Sequence, residues 1–209
     1  MISAFILHFL CFQIFTVAAG TNTVNDFQFH MPKGSQLQPP VGLKLKFLAL
    51  GNGTQNYMCK KDPASGNALT WMPHGADATL FDISKDSSKA ASLATDVMRG
   101  GKNHQAKPNL KAYPVLGKHF FTPTKPDMTL MPTFEINHMK IILRKARFFP
   151  SPLNSKRNVD WLQLNTIQGN FASRVYRTYT RGGKVPAPQC NTVNQIIKEP
   201  YAAIYSFWA

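Results

Sequence analysis

The chain has 209 residues, of which 44% are hydrophobic, 11% aromatic and 16% charged. This composition excludes a disordered chain, which would carry few aromatic residues and a higher density of charge. The formal net charge of +14 favours anionic partners, such as wall polyuronates, phospholipid headgroups or nucleic acid. The cations are dispersed along the chain, however, and this pattern favours a basic surface with no particular ligand over a dedicated polyanion site.

The first twenty residues carry no Asp, Glu, Lys or Arg and end in the small residues Ala18, Ala19 and Gly20. An apolar run followed by small residues predicts a secretory signal peptide, residues 1–20, cleaved after Ala19 or Gly20. The alternative is a membrane anchor, but the apolar run is shorter than the ~20 residues that a spanning helix needs. We therefore expect a secreted protein whose residues 21–209 form one β-rich domain without a transmembrane segment.

Four segments in the first half of the chain have the alternation or the apolar, β-branched and aromatic content of short strands. They are LKLKFLAL (43–50), TQNYMCKK (54–61), ALTWM (68–72) and ATLFDI (78–83). Alternation in the second segment places Gln55, Tyr57 and Cys59 on one face. The intervening GNGT (51–54) and PHG (73–75) are predicted to be breaks between strands, because Gly, Pro and Asn favour turns.

One helix is predicted over residues 87–99, where small and apolar residues recur at helical spacing. Asp86 or Ser87 can cap its start, and Gly100 and Gly101 end it. The later extended segments are VLGKHFFTP (115–123), TLMPTFEI (129–136), HMKIILRKARFF (138–149), DWLQLNTI (160–167), RVYRTYTR (174–181) and AAIYSFWA (202–209). Many short strands with one helix predict an all-β sandwich or barrel with long loops.

Cys11 leaves with the predicted signal peptide, so Cys59 and Cys190 remain alone in an oxidising compartment. Two cysteines allow one intramolecular connectivity, which predicts a Cys59–Cys190 disulfide. The alternative is a pair of unrelated buried thiols. A metal site is not predicted from them, because neither belongs to a Cys-x-x-Cys arrangement.

The sequon Asn52-Gly53-Thr54 fits the same compartment. Because glycine flanks Asn52, the sequon is predicted to lie in an exposed turn, as N-glycosylation requires. The motif is short and occurs often by chance, so an unoccupied sequon is the alternative.

The stretch VYRTYTRGGKVPAPQC, residues 175–190, begins as a strand with a Tyr and Thr face suited to sheet packing. The Gly pair predicts a turn, the two prolines keep the next segment out of central ladders, and Cys190 ties it down. Short basic clusters occur at 140–147, 156–157 and 174–184. The last supplies a candidate binding surface, formed by Arg174, Arg177, Arg181 and Lys184.

Several sequence blocks occur in an order and spacing that resemble a secreted fungal family catalogued as a domain of unknown function. They are LALGNGTQNYMC (48–59), GADATLFDIS (75–84), LGKHFF (116–121), VDWLQL (159–164), VYRTYTRGGKVPAPQC (175–190) and YAAIYSFW (201–208). The resemblance covers most of the chain after residue 20 and implies an all-β secreted protein. Cys59 and Cys190 stand where the family's cysteines tend to stand. Lys85 replaces a further cysteine common in the family, and this replacement and the basic loops suggest a diverged member.

Members of that family are often labelled malate dehydrogenase-like, a label that the residues here do not support. A dinucleotide site needs G-x-G-x-x-G between a strand and a helix. Gly51 and Gly53 supply two glycines, but position 56 is Asn and a second strand is predicted to follow. The alternation of strands and helices that a dinucleotide fold requires is also absent from the pattern.

No catalytic, cofactor-binding or metal-ligating residues are predicted. The histidines after the leader form no close pair; they are His30, His74, His104, His119 and His138. A glycosidase needs two carboxylates across a cleft, and those available are Asp77, Asp82, Glu135 and Asp160. Seven aromatic residues could form a carbohydrate-stacking face, although their strand-alternating positions favour core packing; they are Tyr57, Trp71, Trp161, Tyr176, Tyr179, Tyr205 and Trp208.

We expect a monomeric, secreted, non-enzymatic interaction protein, a fungal effector acting on a host plant through a host protein or an anionic wall polymer. The first alternative is a cell-wall or polysaccharide-binding module, and the second is an uncharacterised enzyme acting on wall polymers. No motif for specific nucleic-acid recognition is present.

Overall fold

The computed structural model describes Phe27 and residues 30–99 and 109–209. Three sequence-based predictions lie outside these residues: the signal peptide with Cys11, the helix end at Gly100 and Gly101, and the position of His104. No helix among the described residues is long and apolar enough to cross a membrane.

Eight strands and one α-helix form the described part of the chain. The strands are β1 (Leu45–Asp62), β2 (Ala68–Asp82), β3 (Val115–Thr124), β4 (Thr129–Ile136), β5 (Met139–Phe149), β6 (Trp161–Gln168), β7 (Arg174–Gly182) and β8 (Ile196–Trp208), and the helix is α1 (Ala90–Arg99). Strands β3 to β7 match five of the extended segments predicted after the helix to within one residue at each end, whereas β8 begins at Ile196, six residues before the predicted segment 202–209. The predicted all-β class is therefore confirmed.

The strands form a closed antiparallel barrel in chain order, with β8 returning to pair with β1. This closing ladder runs from Leu45 opposite Trp208 to Met58 opposite Ile196. Of the two predicted all-β architectures, the barrel is the observed one. Closure removes the exposed edges that an open sheet would present to other chains.

The predicted turn at 51–54 is wrong, because these residues lie inside the continuous strand β1. Residues 73–75 likewise lie inside β2 rather than between two strands. A side chain at Gly53 would collide with the backbone carbonyl of Asp77, and one at Gly51 would meet the Tyr205 ring. These glycines therefore permit close packing within the barrel wall, a use of glycine that resembles a turn signal in the sequence.

The helix begins later than predicted, at Ala90, because residues 84–89 form a 3₁₀ segment. Asp86 accepts hydrogen bonds from Lys89 Nζ and from the Tyr113 hydroxyl. Both hydrogen bonds lower the pKa of the Asp86 carboxyl, and the bond from Lys89 has the larger effect. The helix then lies on the outside of the barrel, where Leu93 packs in a buried cluster with Leu50.

The barrel interior holds the larger of two buried apolar clusters. Side chains from every strand meet there, including Ala49, Leu80, Phe134, Leu143 and Phe207. Phe134 and Phe207 pack edge to face in this cluster, with ring centroids 5.2 Å apart. The second cluster lies between the barrel wall and α1.

The predicted Cys59–Cys190 disulfide is confirmed, with Cα atoms 5.9 Å apart and a sequence separation of 131. The segment before Cys190 lies against the start of β2, where Trp71 N–H donates to the Pro188 carbonyl at 2.8 Å. Cys59 N–H donates to the Gln195 carbonyl at 2.9 Å. The disulfide therefore attaches the β7–β8 connection to β1, and the Trp71 hydrogen bond attaches it to β2.

Removing this disulfide should lower the free energy of unfolding by about 2–5 kcal/mol, because the open chain gains conformational freedom when unfolded. The test is urea unfolding of the oxidised protein beside a Cys59→Ala/Cys190→Ala double variant. The same oxidised protein after thiol reduction is the control. Equal midpoints for all three would contradict a stabilising role for the disulfide.

Candidate functional site

The structure separates the four cations that the sequence placed on one candidate surface. Arg181 and Lys184 lie together at the end of β7, where they line one groove. Arg174 lies at the opposite end of β7, opposite Trp208, roughly 25 Å away at the rise of a strand. Arg177 is only 8% exposed, so it contributes to the interior rather than to the surface.

Two further cations complete the groove, which we call the basic groove and define by Lys156, Arg157, Arg181 and Lys184. It has a volume of about 1020 Å³. Its walls are the 153–158 loop, the end of β7, α1 and the β8 residues around Pro200. Among the described lining residues, these four cations face one carboxylate, that of Glu199. The groove is therefore a region of net positive potential.

Hydrogen bonds orient two of these cations. Arg181 Nε donates to Thr95 Oγ1 of α1 at 2.9 Å, and its Nη1 donates to the Thr180 carbonyl at 2.8 Å. Lys184 Nζ lies 3.1 Å from Asp160 Oδ1 and donates to the Ser155 carbonyl at 2.9 Å. Because these partners belong to different elements, the positions of the cations depend on the closed barrel.

The other two cations lie on a loop that is bound to the end of β7. Lys156 and Arg157 are exposed. Lys184 N–H donates to the Arg157 carbonyl at 3.2 Å, and Gly182 N–H donates to Asn158 Oδ1 at 2.7 Å. The loop and the strand end thus form one hydrogen-bonded unit, although Asn158 and Gly182 are 24 residues apart in sequence.

The floor of the groove requires the glycine pair. Gly182 has φ 69° and Gly183 has φ 85°, values that side chains strongly disfavour. A side chain at Gly182 would meet the Pro200 carbonyl, and one at Gly183 would meet Val159. The predicted turn at this pair is therefore a sharp change of direction that brings backbone to the groove surface.

The comparisons with known proteins agree with the resemblance of the sequence blocks. The family described as "Protein of unknown function (DUF3455)" matches residues 39–209. The chain belongs to this family. No curated protein and no solved structure matches the chain. The DUF3455 match includes all eight strands and every residue that defines the basic groove.

Beneath the groove, the barrel of this DUF3455 protein holds a polar cluster. Arg177 Nε donates to the Asp160 carbonyl at 3.1 Å, and its Nη1 approaches Gln55 Oε1 at 3.4 Å. The Tyr201 and Tyr205 hydroxyls lie 2.9 Å apart. Burial raises the pKa of both phenols, and Arg177 partly opposes this rise at Tyr205.

One hydrogen bond joins this polar cluster to the floor of the basic groove. The Tyr57 hydroxyl donates to the Gly183 carbonyl at 2.7 Å. Burial raises the pKa of Tyr57 to about 12, so the phenol keeps its proton and remains a donor at neutral pH. The interior thus fixes the direction of the groove backbone.

Sequence alternation gives only part of the signal for the burial of Arg177, because residues 175–178 are all buried and β7 is covered on both faces there. Val175 and Arg177 are two residues apart on β7 and therefore share a face, and Val175 is fully buried. The grouping of Lys156 and Arg157 with Arg181 had no such signal. It depends on the fold of the loop that contains them, which the sequence pattern did not specify.

Of the remaining candidate residues, Asn52, Asp77 and His119 line one further concavity of about 550 Å³, whereas the others lie apart from it. Asn52, the predicted glycosylation site, is partly buried and pairs with both Thr79 and Ala202 as part of β1. Asp77 forms an ion pair with Lys198, and Glu135 forms one with Lys118.

The histidines lie in separate places. His30 lines a small pocket, His74 lies within β2 and His138 lies in the β4–β5 turn. No cluster of three His, Cys, Asp or Glu residues suited to a metal occurs in the described ranges.

His119 lies inside the barrel and is 3% exposed. Its ring stacks on Phe134 with centroids 4.2 Å apart. The Nδ1–H donates to the Thr133 carbonyl at 2.9 Å, since a carbonyl can only accept. Burial lowers the pKa of His119 from 6.5 to about 4. The imidazole is therefore a neutral core group at physiological pH.

This pKa predicts an acid-sensitive fold. Between pH 6.5 and about 4 the unfolded chain protonates His119 while the folded chain does not, so the free energy of unfolding decreases as the pH falls. The expected loss is on the order of 3 kcal/mol across this interval.

Urea unfolding of the wild type and of His119→Phe between pH 4 and 7 measures this effect. The variant keeps a stacked ring but cannot titrate, so its stability should depend less steeply on pH. Imidazole NMR resonances give a direct check. An imidazole of His119 that titrates near 6.5 in the folded protein would contradict the expected dependence.

Proposed function

We propose that this DUF3455 protein is a secreted, non-enzymatic interaction protein that binds an anionic partner in the basic groove. The observation that supports this role most directly is the convergence of four cations from separate chain segments on one concavity. The disulfide is consistent with an oxidising compartment outside the cell. The proposal includes the action of a fungal effector on a host plant, with an acidic segment of a host protein as the partner.

The form of the groove distinguishes it from the rest of the basic surface. Exposed charges elsewhere are screened by salt within about 8 Å at physiological ionic strength. In the groove, Arg181 and Lys184 are partly buried and held by defined acceptors. Oriented cations in a concavity lose less conformational freedom when they bind than dispersed ones do.

A second candidate function is binding of an anionic cell-wall polymer. The observation that favours it is a smaller pocket lined by aromatic side chains, which shares Leu153 and Arg181 with the basic groove. A cationic groove beside an aromatic pocket suits a chain of acidic sugars. Both candidates place the anionic groups of the partner in the same groove, so one set of variants addresses both.

Neutralising the groove should weaken anion binding about tenfold, because each exposed charge contact contributes up to ~1 kcal/mol. The variant is Lys156→Gln/Arg157→Gln. Its matched control is Lys140→Gln/Arg144→Gln, which removes the same two charges from exposed positions of β5. Binding of polygalacturonate and of poly-glutamate is measured across a salt series.

Equal weakening in both double variants would overturn the proposal, since net charge alone would then explain binding. Selective loss of polygalacturonate binding in the groove variant would favour the wall polymer. Selective loss of poly-glutamate binding, together with loss of a host-plant protein that the control variant retains, would favour the protein partner.

A further inference from the structure

A further concavity lies on the barrel wall, where β1, β2 and β3 run side by side. It has a volume of about 550 Å³. We call it the strand concavity and define it by Asn52, Asp77, Thr79, Lys118 and Phe120, which all line it. None of these five residues lines the basic groove.

Strand alternation places the sequon on the outer face of β1. Ala49 belongs to the cluster inside the barrel, whereas Leu50 belongs to the cluster between the barrel wall and α1. Asn52 and Thr54 follow Leu50 at intervals of two residues, with no register shift between them, so they share its outward face. Both side chains that an N-glycosylation sequon requires therefore face away from the barrel interior.

The amide group of Asn52 is available for modification. Asn52 is partly exposed, and within the described ranges its amide group has no hydrogen-bond partner. Asn56, on the same face, differs in this respect, because its amide donates to Asp77 Oδ2 at 2.9 Å. An N-linked sugar replaces one amide hydrogen, so its attachment at Asn52 would break no hydrogen bond of the barrel.

A row of polar side chains leads away from Asn52 across the strand concavity. Thr79 of β2 pairs with Asn52, and Lys118 of β3 pairs with Thr79. Neighbouring strands lie ~5 Å apart, so the row extends about 10 Å from Asn52. Hydroxyl and ammonium groups can hydrogen-bond to the hydroxyls and the acetamide of a sugar. The row therefore suits a sugar that is attached at Asn52.

We propose that Asn52 carries an N-linked glycan and that its first N-acetylglucosamine lies in the strand concavity. The sequon Asn52-Gly53-Thr54 supplies the acceptor. Asn52 Nδ2 forms a bond to the anomeric carbon of a lipid-linked oligosaccharide and loses one proton. The bond from that carbon to the polyprenyl diphosphate of the donor breaks, and the diphosphate leaves. Because Asn52 lies in a paired strand of the closed barrel, this transfer precedes the pairing of β1.

The attached sugar needs only weak contacts to remain in the concavity. Attachment through a short side chain gives the sugar an effective concentration of the order of ~mM beside its contacts. Thr79 and Asp77 are exposed there. Asn56 and Lys198 both contact Oδ2 of Asp77, so Oδ1 can accept from the sugar.

The test produces the chain in a glycosylating secretion host, with a host leader in place of residues 1–20. We expect intact mass spectrometry to show an N-glycan on the wild type and none on Asn52→Gln. The matched control is Asn52→Gln/Ile196→Thr, which makes Asn194 the acceptor of a new sequon. Asn194 and Ile196 are exposed and lie outside the strand concavity.

Trimming with an endoglycosidase leaves one N-acetylglucosamine on the asparagine and tests the position of that sugar separately. We expect nuclear Overhauser contacts from its acetamide methyl group to Thr79 and Lys118. The trimmed wild type should have a Tm about 2–4 °C above that of the same protein made without glycan. In the control variant, the single sugar on Asn194 should leave the Tm unchanged.

Secreted wild type without a glycan on Asn52 would overturn the modification, and a glycan on Asn194 of the control shows that the host modifies this chain. A glycan on Asn52 without contacts to Thr79 or Lys118, and with no effect on the Tm, would overturn the position of the sugar. Binding of polyanions in the basic groove should be equal with and without the glycan. Failure of this inference is thus distinguishable from failure of the proposed function.

Discussion

Pairing of β8 with β1 is the constraint on which the rest of the structure depends. It converts a meander of eight strands into a closed barrel, and closure buries the polar cluster around Arg177. It also brings Pro200 of β8 against Gly182 at the end of β7, where the floor of the basic groove forms. Gly51 leaves room for the Tyr205 ring of β8, and Gly53 leaves room for the backbone of β2. Small residues in β1 therefore support a groove that is built from other elements.

Local sequence rules worked where each strand was short and bounded by breakers. They predicted the five strands from Val115 to Gly182 in position but only the C-terminal part of β8, and the cysteine count predicted the disulfide because one pairing was available. They failed in β1, since glycine reads as a turn signal whether it supplies a positive φ or only makes room. At Gly53 it makes room, and the colliding atom belongs to β2, a long-range partner that no local window contains.

The candidate site shows the same division between local and long-range information. Residues 181–184 stood out as a basic turn, and the glycine conformations agree with that reading. Proximity in sequence groups Arg174 and Arg177 with these residues. In a strand, however, residues at the two ends lie far apart, and successive side chains point to opposite faces. Lys156 and Arg157 join the groove through hydrogen bonds from Gly182 and Lys184 to the loop that contains them, and no periodicity encodes such bonds.

Net charge alone is a poor guide to the function of this barrel, because charge spread over a surface attracts any polyanion weakly. The end of β7 differs from that surface in kind. Within a few residues it combines a left-handed tyrosine, a register change, two glycines with positive φ and a buried unpartnered indole beside them. Register changes also occur in the ladders of β1 with β2 and β8, of β2 with β3 and of β5 with β6. Within the described strands, however, Tyr179 is the only non-glycine residue with a positive φ, and such local departures are expected at functional sites. These departures coincide with the groove on which the four cations converge, and the cations determine which ligands it would accept.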